Sequence, residues 1–364
     1  MRVVFRVDSS TRMGTGHLMR CLALTEALRD HDMQVSFICR EHPGDLIALL
    51  RIKAIPVKVL PAPAAKPTKS GNNYAAWLGV TQAEDAAQTI EALNGERLDW
   101  LVIDHYGLDV AWEQKLRSHS AKLMVIDDLA SRQHDCDVLL DQNHFVGGAQ
   151  PYKALVPPAC KVLLGPRYAL LRKEFEVLRQ QRAVRSSKLQ QVLVFFTAGD
   201  DQGETLKAMH GIARFGKAER VDVVVGKANS DNVLIKEMCD ELKWGYHCQI
   251  DYMATLIAQA DLVIGGGGSS NWERCAFGVP ALVVILAENQ AAIAKSLECA
   301  GAVINLGWNT HVQIVDYEKA LNALTEQRLA SLSAQAFQLV DAKGTQRIVE
   351  VLSGGCPIHL DQAR

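Results

Sequence analysis

Short apolar runs alternate along this chain with stretches whose apolar residues recur at helical spacing. Val3–Val7 is rich in valine and reads as a buried strand. A glycine-bearing loop, Ser9–Gly16, separates it from a helix that starts near His17 and continues through Leu18, Leu22, Leu24 and Leu28. Further strands are predicted at Gln34–Cys39, Pro56–Leu60, Trp100–Asp104, Leu123–Asp127 and Val138–Leu140, with helices at Gln82–Leu93 and Val110–Ser118. Pro61–Gly71 carries three prolines and three alanines and reads as an irregular surface loop.

From Glu174 to Lys188 the apolar pattern gives way to charged and polar residues, and the expected domain boundary lies there. The alternation then resumes, with strands at Gln191–Phe196, Val221–Val225, Tyr246–Gln249, Leu262–Ile264, Ala281–Ile285 and Ala302–Asn305. Helices are predicted at Gly203–Gly211, Asn232–Leu242, Met253–Ala260, Trp272–Phe277, Asn289–Ala300 and Asp316–Leu324. The expected domains are therefore 1–182 and 190–352, followed by a polar tail, 353–364. Strand–helix alternation of this kind predicts α/β architecture with parallel sheets covered on both faces. Two such halves facing one another imply a cleft, and open sheets of this class bind ligands beyond the carboxyl ends of their strands.

Length agrees, since 364 residues exceed what one core usually serves. A hydrophobic content of 48% and a mean hydropathy near zero exclude a mainly disordered chain. With 39 Lys plus Arg against 41 Asp plus Glu, no bulk charge draws the chain to nucleic acid or an anionic membrane. Arg2, Arg6 and Asp8 interrupt the amino terminus too early for a signal peptide, and no apolar stretch approaches the roughly 20 residues of a membrane span. The nine cysteines form no CxxC pair, a pattern that suits reduced thiols in a cytoplasmic protein better than disulfides or zinc.

Against that background a few loops stand out. In Asp8–His17, Gly14 and Gly16 let backbone approach a ligand, the amides opening the helix favour an anion, and Thr15 lies between them. His17 adds an imidazole able to titrate near neutrality, either as a base or as a capping residue. After the strand at Leu262, Gly265, Gly266, Gly267 and Gly268 precede Ser269, Ser270 and Asn271. Four glycines are costly in chain entropy, so phosphate oxygens reaching their N–H groups explain them better than a plain turn, with Ser269, Ser270 or Asn271 capping the helix. Glu273 either accepts hydrogen bonds from a ribose or simply favours the helix start. No Gly-Lys-Ser/Thr follows, and no GxGxxG fingerprint with a downstream acid is present, which disfavours a Walker loop and a dinucleotide site.

Three more groups share the carboxyl-end position. Thr197-Ala198-Gly199-Asp200-Asp201 follows a strand, with Asp200 a ready helix cap. Asp104-His105-Tyr106-Gly107 ends another, where Asp104 and Tyr106 either orient a substrate and support His17 or form a satisfied turn. Asn289 and Gln290 bring two amides suited to sugar hydroxyls.

Taken together, these residues resemble the pseudaminic acid pathway nucleotide-sugar hydrolases, the UDP-2,4-diacetamido-2,4,6-trideoxy-β-L-altropyranose hydrolase family. Phe5-Arg6-Val7-Asp8-Ser9-Ser10, Gly14-Thr15-Gly16-His17 and Arg20-Cys21-Leu22 are similar to its opening signature, and Asp104–Gly107 to its second. Asp251-Tyr252-Met253, the glycine run with Trp272-Glu273-Arg274-Cys275, and Asn289-Gln290 are similar to its nucleotide-binding half. The likeness spans residue 1 to about 310. It implies the two-domain GT-B fold of the glycosyltransferase MurG, a small-molecule nucleotide-sugar substrate, and metal-independent release of UDP with His17 as the base for water. No cofactor is implied. The assigned substrate contacts are Asp8, Gly14, Thr15, Gly16, His105, Gly199, Gly266–Ser270, Glu273, Asn289 and Gln290, with Asp104 and Tyr106 beside His17. One departure is Ala198-Gly199, where many members carry Gly-Gly; the alanine methyl narrows backbone access to a diphosphate. A GT-B glycosyltransferase, a hydrolysing UDP-sugar 2-epimerase and a non-catalytic nucleotide-sugar binding module remain the alternatives.

Overall fold

The computed structural model describes residues 1–63, 74–181 and 188–354, so most of the expected Pro61–Gly71 loop and of the polar tail lies outside it. The chain divides into two compact units. One comprises 1–143, 147–172 and the segment from 343 onward; the other comprises 144–146 and 173–342.

In the first unit β1 (Arg2–Val7), β2 (Gln34–Arg40), β3 (Val57–Leu60), β4 (Leu98–Asp104), β5 (Ser120–Ile126), β6 (Val138–Asp141) and β7 (Lys161–Leu164) form one sheet. Their order is β3-β2-β1-β4-β5-β6-β7, with every pairing parallel. Helices α1 (Gly16–Arg29), α2 (Ile47–Ile52), α3 (Gln82–Leu93) and α4 (Val110–Leu116) connect them. Side chains alternate across β1. Val3, Phe5 and Val7 join Leu18 and Leu22 of α1 in one core, while Val4 joins Leu101, Ile103 and Trp112 in the other. Chain direction reverses its spread at β1: the sheet grows to one side through β2 and to the other through β4. Ligand sites of doubly wound sheets form at such a switch point, beyond the ends of the two diverging strands.

Arg6 breaks the apolar run of β1 and is fully buried. It pairs with Asp8 at 2.5 Å and with Asp85 of α3 at 2.6 Å, and Arg40 adds a 2.7 Å bond to Asp85. A buried charge without partners is strongly destabilising, so this cluster ties β1, β2 and α3 together. A second polar knot joins β5 and β6. The Tyr152 hydroxyl lies 2.9 Å from Asp127 Oδ2 and 2.8 Å from Asp141 Oδ2. One hydroxyl proton serves only one carboxylate, so the other carboxyl must bring its own proton. Asp141 is that group: burial, then the charge of Asp128, push its pKa up to about 8.

The second unit repeats the plan with β8 (Gln191–Phe195), β9 (Arg220–Val225), β10 (Gly245–Cys248), β11 (Leu262–Gly266), β12 (Ala281–Ile285) and β13 (Val303–Trp308). The order β10-β9-β8-β11-β12-β13 is again parallel throughout and places its switch point between β8 and β11. Helices α5 (Lys173–Gln180), α6 (Glu204–Phe215), α7 (Asn232–Leu242), α8 (Met253–Gln259), α9 (Ser270–Ala276), α10 (Glu288–Cys299), α11 (Ile314–Asn322) and α12 (Glu326–Leu339) cover it. Helix α13 (Gly344–Leu352) then returns to the first unit, where Ile348, Val349 and Leu352 pack with α1 and Trp100 Nε1 donates to the Leu352 carbonyl at 2.9 Å.

The expected boundaries differ in two places. The chain leaves the first unit after Arg172 rather than near 182, and α13 belongs with that unit, not with 190–352. The polar appearance of Glu174–Lys188 conceals α5, whose Phe175 is fully buried against Phe277 with ring centroids 5.5 Å apart. One large side chain can anchor a two-turn helix while the rest of its surface stays polar.

Candidate active site

In the first unit, β1 and β4 end side by side, and the helix after β1 carries His17 to the end of β4. His17 Nδ1 lies 2.6 Å from Asp104 Oδ1. Asp104 is fully buried; burial would raise its pKa, but Arg20, then His17, outweigh that and hold it well below the usual carboxylate range. An ionised Asp104 only accepts, so Nδ1 carries the proton and Nε2 offers its lone pair. The His17 side chain is 10% exposed, and Nε2 has no hydrogen-bond partner among the described residues.

Arg20 sits one helical turn beyond His17. Its Nε and Nη2 reach Asp104 at 2.6 and 2.7 Å, and its Nη1 reaches Asp128 at 2.6 Å. Tyr106 donates its hydroxyl to the same Asp128 oxygen at 2.7 Å and sets its ring edge-on to His17, with centroids 4.4 Å apart. Burial, then Asp128, push the Tyr106 pKa well above the usual phenol range, which keeps it a neutral donor. Two carboxylates and one guanidinium leave the cluster one negative charge while His17 is neutral. Protonating His17 would balance it, an arrangement suited to a transient imidazolium. Half-buried Tyr74 and Trp77 complete an aromatic wall: Trp77 stacks on Tyr106 at 5.6 Å, and Tyr74 meets both rings edge-on.

Other candidates in this unit turn inward. The Asp8 carboxylate is fully buried and accepts from Arg6 and from the Arg40 amide at 2.7 Å. His105 accepts from the Gly107 amide at 2.9 Å and stands 3.4 Å from Asp8; burial pushes its pKa down to about 4. Both hold the framework beneath His17, and neither offers a side chain to a ligand. Gly14 has φ +77°, which by itself calls for glycine, and its amide closes a turn onto the Ser10 carbonyl at 2.9 Å. Thr15 is the N-cap residue of α1 without a side-chain cap bond, and Gly16, exposed, opens the helix.

In the second unit the glycine run divides into two pairs. Gly265 and Gly266 end β11 beside β8, and a Cβ there would meet the Phe195 carbonyl oxygen at 2.0 Å and that of Phe196 at 2.7 Å. Close strand approach therefore accounts for both. A Cβ on Gly268 would find its nearest neighbour at 3.6 Å, an ordinary contact, and φ is not positive there. Nothing among the described residues requires that glycine. Gly267 is intermediate: its amide donates to the Val284 carbonyl at 3.1 Å and to Gln290 Oε1 at 3.2 Å. The amides of Gly268, Ser269 and Ser270 have no acceptor among the described residues.

Capping departs from expectation. Ser269 is the N-cap residue of α9 but makes no side-chain cap bond, while Asn271 Nδ2 donates to the Gly268 carbonyl at 2.8 Å. Before α6, Asp201 rather than Asp200 gathers the Gly203 and Thr205 amides, at 3.1 and 3.2 Å. Asp200 accepts from Ser230 instead. Gly199 has room for a Cβ, its nearest neighbour lying at 3.8 Å. Gln290 Oε1 is committed to the Gly267 and Leu286 amides, whereas half-buried Asn289 makes no side-chain hydrogen bond among the described residues. Glu273 is half-buried in the first turn of α9.

Residues 187–348 match the glycosyltransferase family 28 C-terminal domain. Over the whole chain, the Acinetobacter baumannii MurG crystal structure superposes with a TM-score of 0.66 at 15% identity, covering 97% of this chain and 99% of that one. The chain has a GT-B fold, two Rossmann-like units. This GT-B chain is 32% identical over 176 residues to the UDP-2,4-diacetamido-2,4,6-trideoxy-β-L-altropyranose hydrolase of Campylobacter jejuni, a match covering 48% of this chain and 53% of the relative. The match thus spans about half the length of that curated relative. The spore coat polysaccharide biosynthesis protein SpsG of Bacillus subtilis is 23% identical, with 97% of this chain and 98% of that one covered. No helix among the described residues is long and apolar enough to cross a membrane.

Proposed function

We propose that this GT-B chain is a UDP-sugar hydrolase that cleaves UDP-2,4-diacetamido-2,4,6-trideoxy-β-L-altropyranose to UDP and the free 2,4-diacetamido-2,4,6-trideoxy-L-altrose of pseudaminic acid biosynthesis. The observation that carries it is the 2.6 Å His17–Asp104 contact, with Asp104 clamped by Arg20 and His17 Nε2 left without a partner among the described residues. Nε2 takes a proton from water as the water oxygen bonds to the anomeric carbon. The bond from that carbon to the UDP oxygen breaks, and its electron pair leaves with UDP. Attack opposite the leaving group inverts the anomeric centre. Asp104 fixes the tautomer and balances the imidazolium, a role that elsewhere costs up to about 10⁴-fold in rate when removed. In the second unit the unfilled amides of Gly268, Ser269 and Ser270 are suited to the developing charge on the diphosphate. The scheme needs no metal, and the cysteine pattern fits a cytoplasmic setting.

The family 28 match favours a second reading, in which an acceptor hydroxyl replaces water. Incubation with UDP-sugars alone separates the two. UDP release without acceptor, with the liberated sugar keeping the substrate's configuration at C2 by NMR, supports hydrolysis. Release only on adding an acceptor makes the chain a transferase, and an altered C2 makes it a hydrolysing 2-epimerase.

A further inference from the structure

Arg274 is the anomaly of the second unit. It is 2% exposed and forms no ion pair among the described residues, unlike buried Arg6 and Arg20, each of which holds two carboxylates. Its Nη2 donates to the Gly266 carbonyl at 3.0 Å and to Asn271 Oδ1, while Nε and Nη1 are buried without an acceptor among the described residues. Nη1 would lie 3.1 Å from a Cβ on Gly265, so the guanidinium sits directly under the glycine run. Burial lowers its pKa to about 10, with Cys275 and Glu273 acting weakly in the other direction; the group therefore stays charged at neutral pH.

A buried cation that no carboxylate balances is destabilising unless a counter-charge comes near it. We propose that Arg274 is the fixed counter-charge for the diphosphate of the nucleotide, acting through the loop from beneath rather than by touching the ligand. It is thus a positioning residue: it pins the Gly266 carbonyl inward and holds Asn271, which in turn anchors Gly268. In a region of low dielectric its charge reaches an anion held by the amides that follow Gly266. The inference rests on the nucleotide reading above but not on hydrolysis, because its signature is binding.

The experiment compares affinity for UDP with affinity for uridine by calorimetry, which isolates the diphosphate contribution. In the wild-type protein UDP should bind at least tenfold more tightly than uridine. Arg274→Met should remove most of that ratio while leaving uridine affinity unchanged, and Arg274→Lys, which keeps the charge but not the fork, should retain most of it. Asn271→Asp places a carboxylate at Nη2 but gives up the donor that holds the Gly268 carbonyl, so the expectation is a lower UDP-to-uridine ratio with uridine affinity unchanged. A ratio unchanged in Arg274→Met and Asn271→Asp overturns the proposal, as does a Lys variant that falls as far as Met. Should the wild-type protein bind neither UDP nor uridine, the nucleotide reading fails instead.

Discussion

At the scale of single residues, Asp104 carries more of the proposed chemistry than its position at a strand end suggests. It receives Arg20 on two nitrogens and His17 on a third, so Asp104→Asn removes the charge that fixes the imidazole tautomer. The expected result is a fall in kcat for UDP release of about 10²–10⁴ with KM little changed; an unaltered kcat removes Asp104 from that role. His17→Ala should abolish turnover and leave UDP affinity within about twofold, since the loop proposed to hold the nucleotide belongs to the other unit. Parallel loss of binding would make His17 structural. His17 and Asp104 were readable as candidates because each follows a buried strand. Asp128 was not, and Arg20 stood in the amino-terminal signature without a role: their 2.6 Å contact joins positions 108 residues apart, which no local pattern encodes.

At the scale of elements, the glycine run offers a clean comparison. Gly265→Ala would drive a methyl to 2.0 Å from the Phe195 carbonyl oxygen, within the sheet, where backbone cannot yield. Loss of soluble protein, or destabilisation of about 3 kcal/mol or more by thermal melting, is expected. Gly268→Ala meets nothing closer than 3.6 Å, so its Tm should hold while UDP affinity falls by about tenfold or more. If Gly268→Ala binds UDP normally, the loop is not the diphosphate site. Strand and helix periods made this strand–loop–helix visible in the sequence. They did not show that Gly265 and Gly266 answer to a neighbouring strand, because the closeness of β8 and β11 is a property of the sheet alone.

For the molecule as a whole, two buried groups set opposing pH slopes on stability. Asp141, raised to about 8, contributes stability that is complete below about pH 4 and is lost as pH rises through 8. His105, lowered to about 4, stays neutral in the fold, so its contribution is lost as pH falls from about 6.5 toward 4. Between pH 4 and 6.5 the two oppose one another; above 6.5 only Asp141 acts. Stability should therefore decline from pH 6.5 to 8 by on the order of 1–2 kcal/mol. Asp141→Asn, whose amide can donate to Tyr152 as the protonated acid does, should flatten that decline in denaturant melts. A slope that persists in the variant assigns the proton elsewhere.

The sequence by itself determined the class of fold. Twelve of the thirteen strands among the described residues, and most of the helices between them, follow from side-chain periodicity, a local property that each segment carries alone, and β1, α1 and the loop before α9 were legible for that reason. Short or polar-faced elements such as β7 and α5 escaped, since four residues or a single buried aromatic leave too little pattern. Tertiary structure decided which polar residues are partners. It turned Asp8 and His105 into framework, gathered Arg20, Asp104 and Asp128 around His17, sent α13 back to the first unit, and left Arg274 buried without a carboxylate. Charge pairing acts through space over a few ångströms, and only the folded chain fixes which charges come that close.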